Sequence, residues 1–73
     1  MATPRQIQAL HARRPFEPFQ LHLSSGRTIL ITHPENIAYG AEGREIAIFD
    51  QADFHLVDMR LVEIVELAPA PKK

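Results

Sequence analysis

The chain has 73 residues, of which 45% are hydrophobic and 23% are charged, and its formal net charge is −1 at pH 7. This composition is that of a small globular domain, and it excludes an intrinsically disordered chain. The chain contains no cysteine, which excludes disulfides and thiolate zinc sites and fits a reducing compartment. No apolar run approaches the ~20 residues that cross a bilayer, and the N-terminus lacks the pattern of a secretory signal. We therefore expect a cytoplasmic protein without a membrane segment.

The charges are distributed unevenly along the chain. Residues 1–34 carry four arginines against one glutamate, a balance of +3, whereas residues 35–71 carry two arginines against eight acids, a balance of −6. Lys72 and Lys73 follow. The pattern does not predict the broad basic face that dominates nucleic-acid affinity. The same uneven distribution of charge also suits head-to-tail association of copies of the chain.

The first element in chain order is a predicted helix over about residues 4–13. Thr3 can cap its first turn, Pro4 suits the first helical position, and Gln6 completes a T-x-x-Q capping box. Arg13 lies where a cation favours a helix C-terminus, and Pro15 prevents continuation. The apolar stripe of this helix is narrow, so we expect it to pack on a larger element.

Residues 13–23, RRPFEPFQLHL, contain two prolines and two phenylalanines, each pair three residues apart. The Pro15-x-x-Pro18 spacing resembles a ligand of SH3 domains. However, a polyproline II segment has three residues per turn, so Phe16 and Phe19 would lie on one side of it. Because Phe19 also opens an alternating strand, the pattern favours two buried anchors over an exposed ligand.

Short alternating or β-branched runs follow, separated by turn residues. Gly26 supplies the positive φ of a hairpin turn, and Pro34 ends the second strand. Residues 61–67 match helical spacing in part, but their β-branched density favours a strand after a one-turn break near Met59. The predicted strands are 19–23, 28–32, 37–40, 45–49, 54–57 and 61–67, with turns at 24–27 and 41–44, a polar loop at 50–53 and a frayed tail at 68–73.

These elements predict one domain over residues 1–73, mainly β with an N-terminal helix. Five or six short antiparallel strands on so short a chain are expected to curl into a small barrel, which limits exposed strand edges. The strand count, the leading helix and the break before the last strand resemble a Sm-like or SH3-like barrel.

A second resemblance concerns the residues themselves. The chain is similar to short, uncharacterised bacterial proteins that share a pattern near R-P-F-x-P-F-x-L-x-L-x-x-G-R followed by H-P-E and an apolar last strand. The similarity covers most of residues 13–67 and implies a fold but no activity. The pattern is carried here by Arg14-Pro15-Phe16, Pro18-Phe19, Leu21, Leu23, Gly26-Arg27 and His33-Pro34-Glu35.

The sequence shows no pattern of catalytic or metal-binding residues. None of the four histidines has a usual metal-ligand spacing. We expect His22 and His55 to face outward on strands, and His33 stands at a strand end. Ser24 and Ser25 fall in a hairpin turn, where serine is common for backbone reasons. We therefore expect no enzyme, no metal, no cofactor and no small-molecule substrate.

Four residues are candidates for contacts with a partner or with RNA. Arg27, Arg44 and Arg60 lie near turns and could contact phosphates, and Tyr39 could stack on a base. The acidic balance of the second half and the single tyrosine argue against RNA, because a basic groove with interleaved aromatics is the usual requirement.

Surplus apolar residues predict an interface. Leu30, Phe49 and Val57 stand at positions that we expect to face outward on strands, and surplus apolar surface on a small protein most often marks an interface. The sequence therefore favours a non-enzymatic protein-interaction or scaffold module that associates with itself or with another protein. A Sm-like RNA-binding homo-oligomer is the alternative.

Overall fold

The protein is described here by a computed structural model that covers residues 2–50 and 53–69. Within these residues it is mainly β, with one N-terminal α-helix, six strands and two short 3-10 turns, which confirms the predicted class. The elements are α1 (Pro4–His11), β1 (Phe19–Leu23), β2 (Thr28–Ile31), a first 3-10 turn (Pro34–Asn36), β3 (Ile37–Tyr39), β4 (Glu45–Asp50), β5 (Asp53–Asp58), a second 3-10 turn (Met59–Leu61) and β6 (Val62–Leu67).

The strands form two antiparallel sheets. The first sheet has the order β2-β1-β6 and the second has the order β3-β4-β5. Across the described residues the two sheets are not joined into one closed barrel. Each sheet turns one face towards a single shared core, so each has one inner and one outer face.

Helix α1 begins as the sequence predicts. The Thr3 hydroxyl accepts a hydrogen bond from the Gln6 N–H, and the Gln6 side chain accepts one from the Thr3 N–H. The helix ends at His11 rather than near Arg13, and Ala12 is its C-cap, whose N–H bonds the Gln8 carbonyl. Ile7 attaches the helix to the core and is fully buried.

The opening pair of phenylalanines is structural. Phe19 is fully buried, and Phe16 packs partly buried against the same core. Their ring centroids lie 5.9 Å apart at a tilted angle, which is a favourable aromatic arrangement. The two rings therefore help to fix the connection between α1 and β1, as the spacing predicts.

Two glycines provide the tight turns that the strands require. Gly26 has φ +95° in the β1–β2 hairpin, and Gly43 has φ +73° between β3 and β4. Other residues pay a steric penalty in this left-handed region. The second 3-10 turn begins at Met59, and a strand follows it, so the predicted break and the strand assignment of the last segment are confirmed.

The predicted polar loop between β4 and β5 is shorter in the structure. Asp50 and Asp53 belong to the strands and are paired in register. Gln51 and Ala52 lie outside the described residues, as do residues 70–73 of the predicted tail.

The structure contradicts the predicted outward positions of Val57 and His55. Val57 is buried, because its cross-strand partner is Ile46, a fully buried residue on the inner face of β4. The prediction assigned it to the outer face, whereas its neighbour Leu56 faces outward. His55, predicted to face outward, has the parity of Val57 and is paired with buried Ile48, so it lies on the inner face.

The remaining core follows the predicted alternation. In the described part of the chain no polar or charged residue is buried. The same part contains no helix with both the length and the apolar character needed to cross a membrane. The buried residues are Ala2, Ile7, Phe19, Leu21, Leu23, Ile29, Ile31, Ile37, Ile46, Ile48, Val57, Met59 and Val62.

Candidate functional site

Two of the three candidate arginines share a cleft. Arg44, just before β4, and Arg60, in the second 3-10 turn, line a cavity of about 420 Å³ with Gly43, Asp58 and Met59. The Met59 N–H donates to the Arg44 carbonyl at 2.8 Å and so joins the two segments that line the cleft. The structure thus brings together two residues that are 16 positions apart in the sequence.

Both arginines of this cleft are already paired with acids. Arg44 bonds Glu42 at 2.9 Å, and the Arg60 guanidinium bonds the Asp58 carboxylate at 2.7 Å. Hydrogen bonds from the Arg60 side chain and backbone lower the pKa of Asp58 from its ordinary 3.8 to about 2. The acids offset the positive charge of the cleft, which reduces its attraction for a phosphate.

The other two candidates lie elsewhere. Arg27 lies at the end of the β1–β2 hairpin and lines a different cleft. Tyr39, in β3, is half-buried and packs its ring on His11 with 5.5 Å between centroids. The four candidate contact residues therefore do not form one site.

Tyr39 belongs to a hydrogen-bonded chain that links three elements. The His11 Nε2–H donates to the Pro34 carbonyl at 2.7 Å, since a carbonyl oxygen can only accept. In neutral His11 the other ring nitrogen then accepts from the Tyr39 hydroxyl, 2.9 Å away. Burial raises the pKa of Tyr39 to about 12, so the hydroxyl keeps its proton at neutral pH. These two hydrogen bonds tie α1 to the first 3-10 turn and to β3.

The outer face of the first sheet combines two exposed apolar residues, Leu30 and Ile64, with a hydrogen-bonded polar network. His22 lies between Thr28 and Glu66, with its Nε2 2.6 Å from Glu66 Oε2 and its Nδ1 3.1 Å from the Thr28 hydroxyl. Gln20 donates to the same carboxylate oxygen at 3.3 Å. Hydrogen bonds from His22 and then from Gln20 lower the pKa of Glu66.

This network has the order hydroxyl, imidazole, carboxylate that activates nucleophiles in many hydrolases. Here the Thr28 hydroxyl, His22 and Glu66 bridge three neighbouring strands on an open sheet face. Such a face lets water reach the groups, whereas catalytic electrostatics depend on excluding it. We interpret the network as cross-strand bonding. No local sequence pattern indicates this network, because the three residues are dispersed along the chain and the register of β6 brings them together.

Two of the three rows on the outer face of the second sheet are apolar. Phe49 and Phe54 are cross-strand partners with ring centroids 5.2 Å apart, and they are 48% and 58% exposed. The next row contains Ala38, Ala47 and Leu56, of which Leu56 is 64% exposed. We call these five residues the apolar face.

The apolar face contains one of the three predicted self-association residues. Phe49 lies in it, whereas Leu30 is 49% exposed on the outer face of the first sheet, paired with Gln20. Val57 is in the core. Phe54 and Leu56 were missed by the sequence-based prediction, because only the register with β4 shows that they face outward.

Among the described residues, no group of three or more His, Cys, Asp or Glu side chains is arranged to hold a metal ion. Comparisons with known proteins found no match to a family model, to a curated protein or to a solved structure. The similarity to short bacterial proteins therefore stays a prediction, and the proposed function depends on geometry alone.

Proposed function

We propose that the protein is a small interaction module that associates with itself through the apolar face of its second sheet. The single observation that carries the proposal is the exposed Phe49–Phe54 pair, continued by Leu56 in the next row. A monomeric surface rarely exposes a contiguous apolar patch of large side chains unless it serves an interface.

A second copy is the partner that fits this face best. Its two rows carry no charged side chain, and the acids Glu45 and Asp58 stand opposite each other in the row beyond. In a two-fold stack each copy would place its aromatic pair against the other, with the two acidic rows at opposite ends of the interface. The net charge of −1 opposes such an association only weakly.

The fold that we propose to underlie this module is an open, Sm-like or SH3-like barrel. Two features support it. A five-residue connection with the first 3-10 turn joins β2 to β3, and the second 3-10 turn alone joins β5 to β6, so the chain passes from one sheet to the other at each turn. The two sheets also share one core. Both features are expected when a small barrel is divided at two corners.

Sedimentation velocity from low to high micromolar concentration tests the proposal. We expect the wild-type chain to form a dimer or higher oligomer, and Phe49→Lys to be monomeric because a lysine would be buried without a partner. Leu30→Lys is the matched control, since Leu30 and Phe49 have almost equal exposure, 49% and 48%, on different sheets. A monomeric wild type, or loss of association in the control alone, would contradict the proposal.

RNA binding is the alternative, and the cleft with Arg44 and Arg60 is its best support. Anisotropy with a mixed single-stranded RNA pool at about 50 and about 200 mM salt distinguishes the two functions, because phosphate contacts weaken steeply with salt. Salt-sensitive micromolar binding that falls in an Arg27→Ala, Arg44→Ala variant would replace our proposal. Absence of binding at low salt would favour the interaction module.

A further inference from the structure

The second cleft of the protein lies at the open end between the two sheets. Its volume is about 350 Å³, within the range of about 300–1,000 Å³ for small-molecule sites. The hairpin of the first sheet forms one wall, β5 forms the other, and Leu61 of the second 3-10 turn also lines it. We call it the mouth cleft. Binding sites are common in the mouths of small β-barrels.

The floor of the mouth cleft is apolar. Leu23 and Ile29 come from the inner face of the first sheet, and Val57 comes from the inner face of the second. These three side chains are only 9%, 7% and 5% exposed. The cleft thus reaches the margin of the core, where an apolar group would gain from leaving water.

Two hydrogen-bond donors, Arg27 and His55, also line the mouth cleft. Arg27 lies opposite Leu23, whose N–H bonds the Arg27 carbonyl at 2.8 Å, so the Arg27 side chain starts from the inner side of the sheet. His55 starts from the inner face of the second sheet, on the other wall. Within the described part of the chain Arg27 makes no ion pair, in contrast to Arg44 and Arg60.

The charges of the residues that line the mouth cleft indicate which class of ligand it can bind. No carboxylate is among the described residues that line the mouth cleft, although residues 35–71 carry eight acids. Asp53 precedes His55 by two residues and does not line it. An arginine without a partner beside an apolar floor matches an anion with an apolar body.

We propose that the mouth cleft binds a small carboxylate with an apolar body, the carboxylate on Arg27 and the body on Leu23, Ile29 and Val57. The Arg27 guanidinium can donate two parallel hydrogen bonds to a carboxylate, and His55 can donate a further one. Arg27 and the floor residues lie outside the apolar face, whereas Phe54 and Leu56 of that face also line the cleft along β5.

Calorimetry and amide chemical-shift mapping on the full chain test the proposal, with octanoate as the probe. We expect saturable binding, with shifts concentrated at the hairpin and β5. Octanol and octylammonium control for apolar binding alone and should bind at least tenfold more weakly. Arg27→Gln should weaken octanoate binding at least tenfold, whereas the matched Arg44→Gln should not change it. Equal binding of octanol, or no effect of Arg27→Gln, would overturn the proposal.

The same carboxylate chemistry occurs at the C-terminus of an apolar peptide, so a second arm uses acetyl-Leu-Leu as the free acid and as its amide. Tighter saturable binding of the peptide acid than of octanoate, lost in the amide and in Arg27→Gln, would identify a peptide C-terminus as the ligand. Tighter binding of octanoate would identify a free amphiphile. If neither acid binds, the proposal is wrong.

Discussion

The two sheets of this protein have similar inner faces and different outer faces. Both contribute buried aliphatic residues to one core. On its outer face the first sheet has a hydrogen-bonded network around His22 and Glu66, and the polar residues of its central strand stand between the exposed Leu30 and Ile64. The second sheet instead presents Phe49, Phe54 and Leu56 together. Since folding requires only the inner faces to be apolar, the difference outside points to an interface on the second sheet.

The largest expected effect is a difference in the free energy of unfolding between replacing a buried phenylalanine and replacing an exposed one. Phe19→Ala should lower the free energy of unfolding by ~3–5 kcal/mol, because it leaves a cavity in the core. A chain of this length has a total stability of only about 4–11 kcal/mol. Phe54→Ala is the control and should lower it by only about 1 kcal/mol, because Phe54 is 58% exposed and loses mainly its cross-strand pair with Phe49.

Urea melts at low micromolar concentration, where self-association contributes least, would measure both changes. Failure of Phe19→Ala to fold would agree with the expectation. Equal losses for the two variants would mean that the apolar face helps to hold the monomer together, and the contrast between the sheets would then disappear.

A smaller effect is expected within a single strand. Val57→Ala should cost about 2 kcal/mol, the loss of two buried methyl groups plus a cavity. Leu56→Ala, one residue earlier, should be nearly neutral in the dilute protein and should weaken association in sedimentation. A neutral Val57→Ala in the same melts would contradict the inner position of Val57.

The bridge between helix and second sheet should contribute less again. Tyr39→Phe removes the hydroxyl that bonds His11 and should cost about 1 kcal/mol, the net value of one hydrogen bond. A double-mutant cycle with His11→Ala isolates the pair, and we expect a coupling of about 0.5–1.5 kcal/mol. Purely additive single effects would show that the contact does not stabilise the fold.

Lowering the pH should slightly lower the free energy of unfolding, through Glu66 on the first sheet and Asp58 at the end of the second. Both carboxyl pKa values are lowered in the folded chain, so each contributes stability that is present above its unfolded pKa and is lost as pH falls through its folded pKa. For Asp58 that window runs from 3.8 down to about 2. Glu66 should act below its ordinary 4.5.

Urea midpoints measured from neutral pH down through these windows would show the effect. Glu66→Gln should remove the part that belongs to the first sheet, and Asp58→Asn should remove the part at lower pH. An unchanged pH profile in both variants would mean that these exposed pairs contribute nothing measurable, as many surface ion pairs do.

Local signals predicted most of the fold. The capping box at Thr3, the alternation from Phe19 to Leu23 and the turn glycines each act over a few residues, so the sequence alone could locate them. Errors arose where placement depends on distant partners. The wrong face is predicted for Val57 and His55, because the apolar residues of the segment favour Phe54 and Leu56 as the inner pair, whereas the register with β4 pairs Val57 and His55 with the buried Ile46 and Ile48.

The candidate site was harder to predict than the fold. Arg44 and Arg60 were identified from their positions near turns, but their pairing with Glu42 and Asp58 depends on side-chain geometry. The network of His22, Thr28 and Glu66 depends on the register between β1 and β6. Such long-range register leaves no local pattern in the sequence.

The central position of β1 affects how this protein can be made. Phe19 is paired with Leu67, and the Ala2 N–H bonds the Val62 carbonyl, so both the N-terminal segment and β1 depend on the last strand. Contacts between such distant residues form late, because the intervening chain must be ordered first. On the ribosome, a nascent chain can form the β1–β2 hairpin early, but it cannot complete the first sheet until β6 has left the exit tunnel. Until then its apolar residues are exposed to chaperones and proteases.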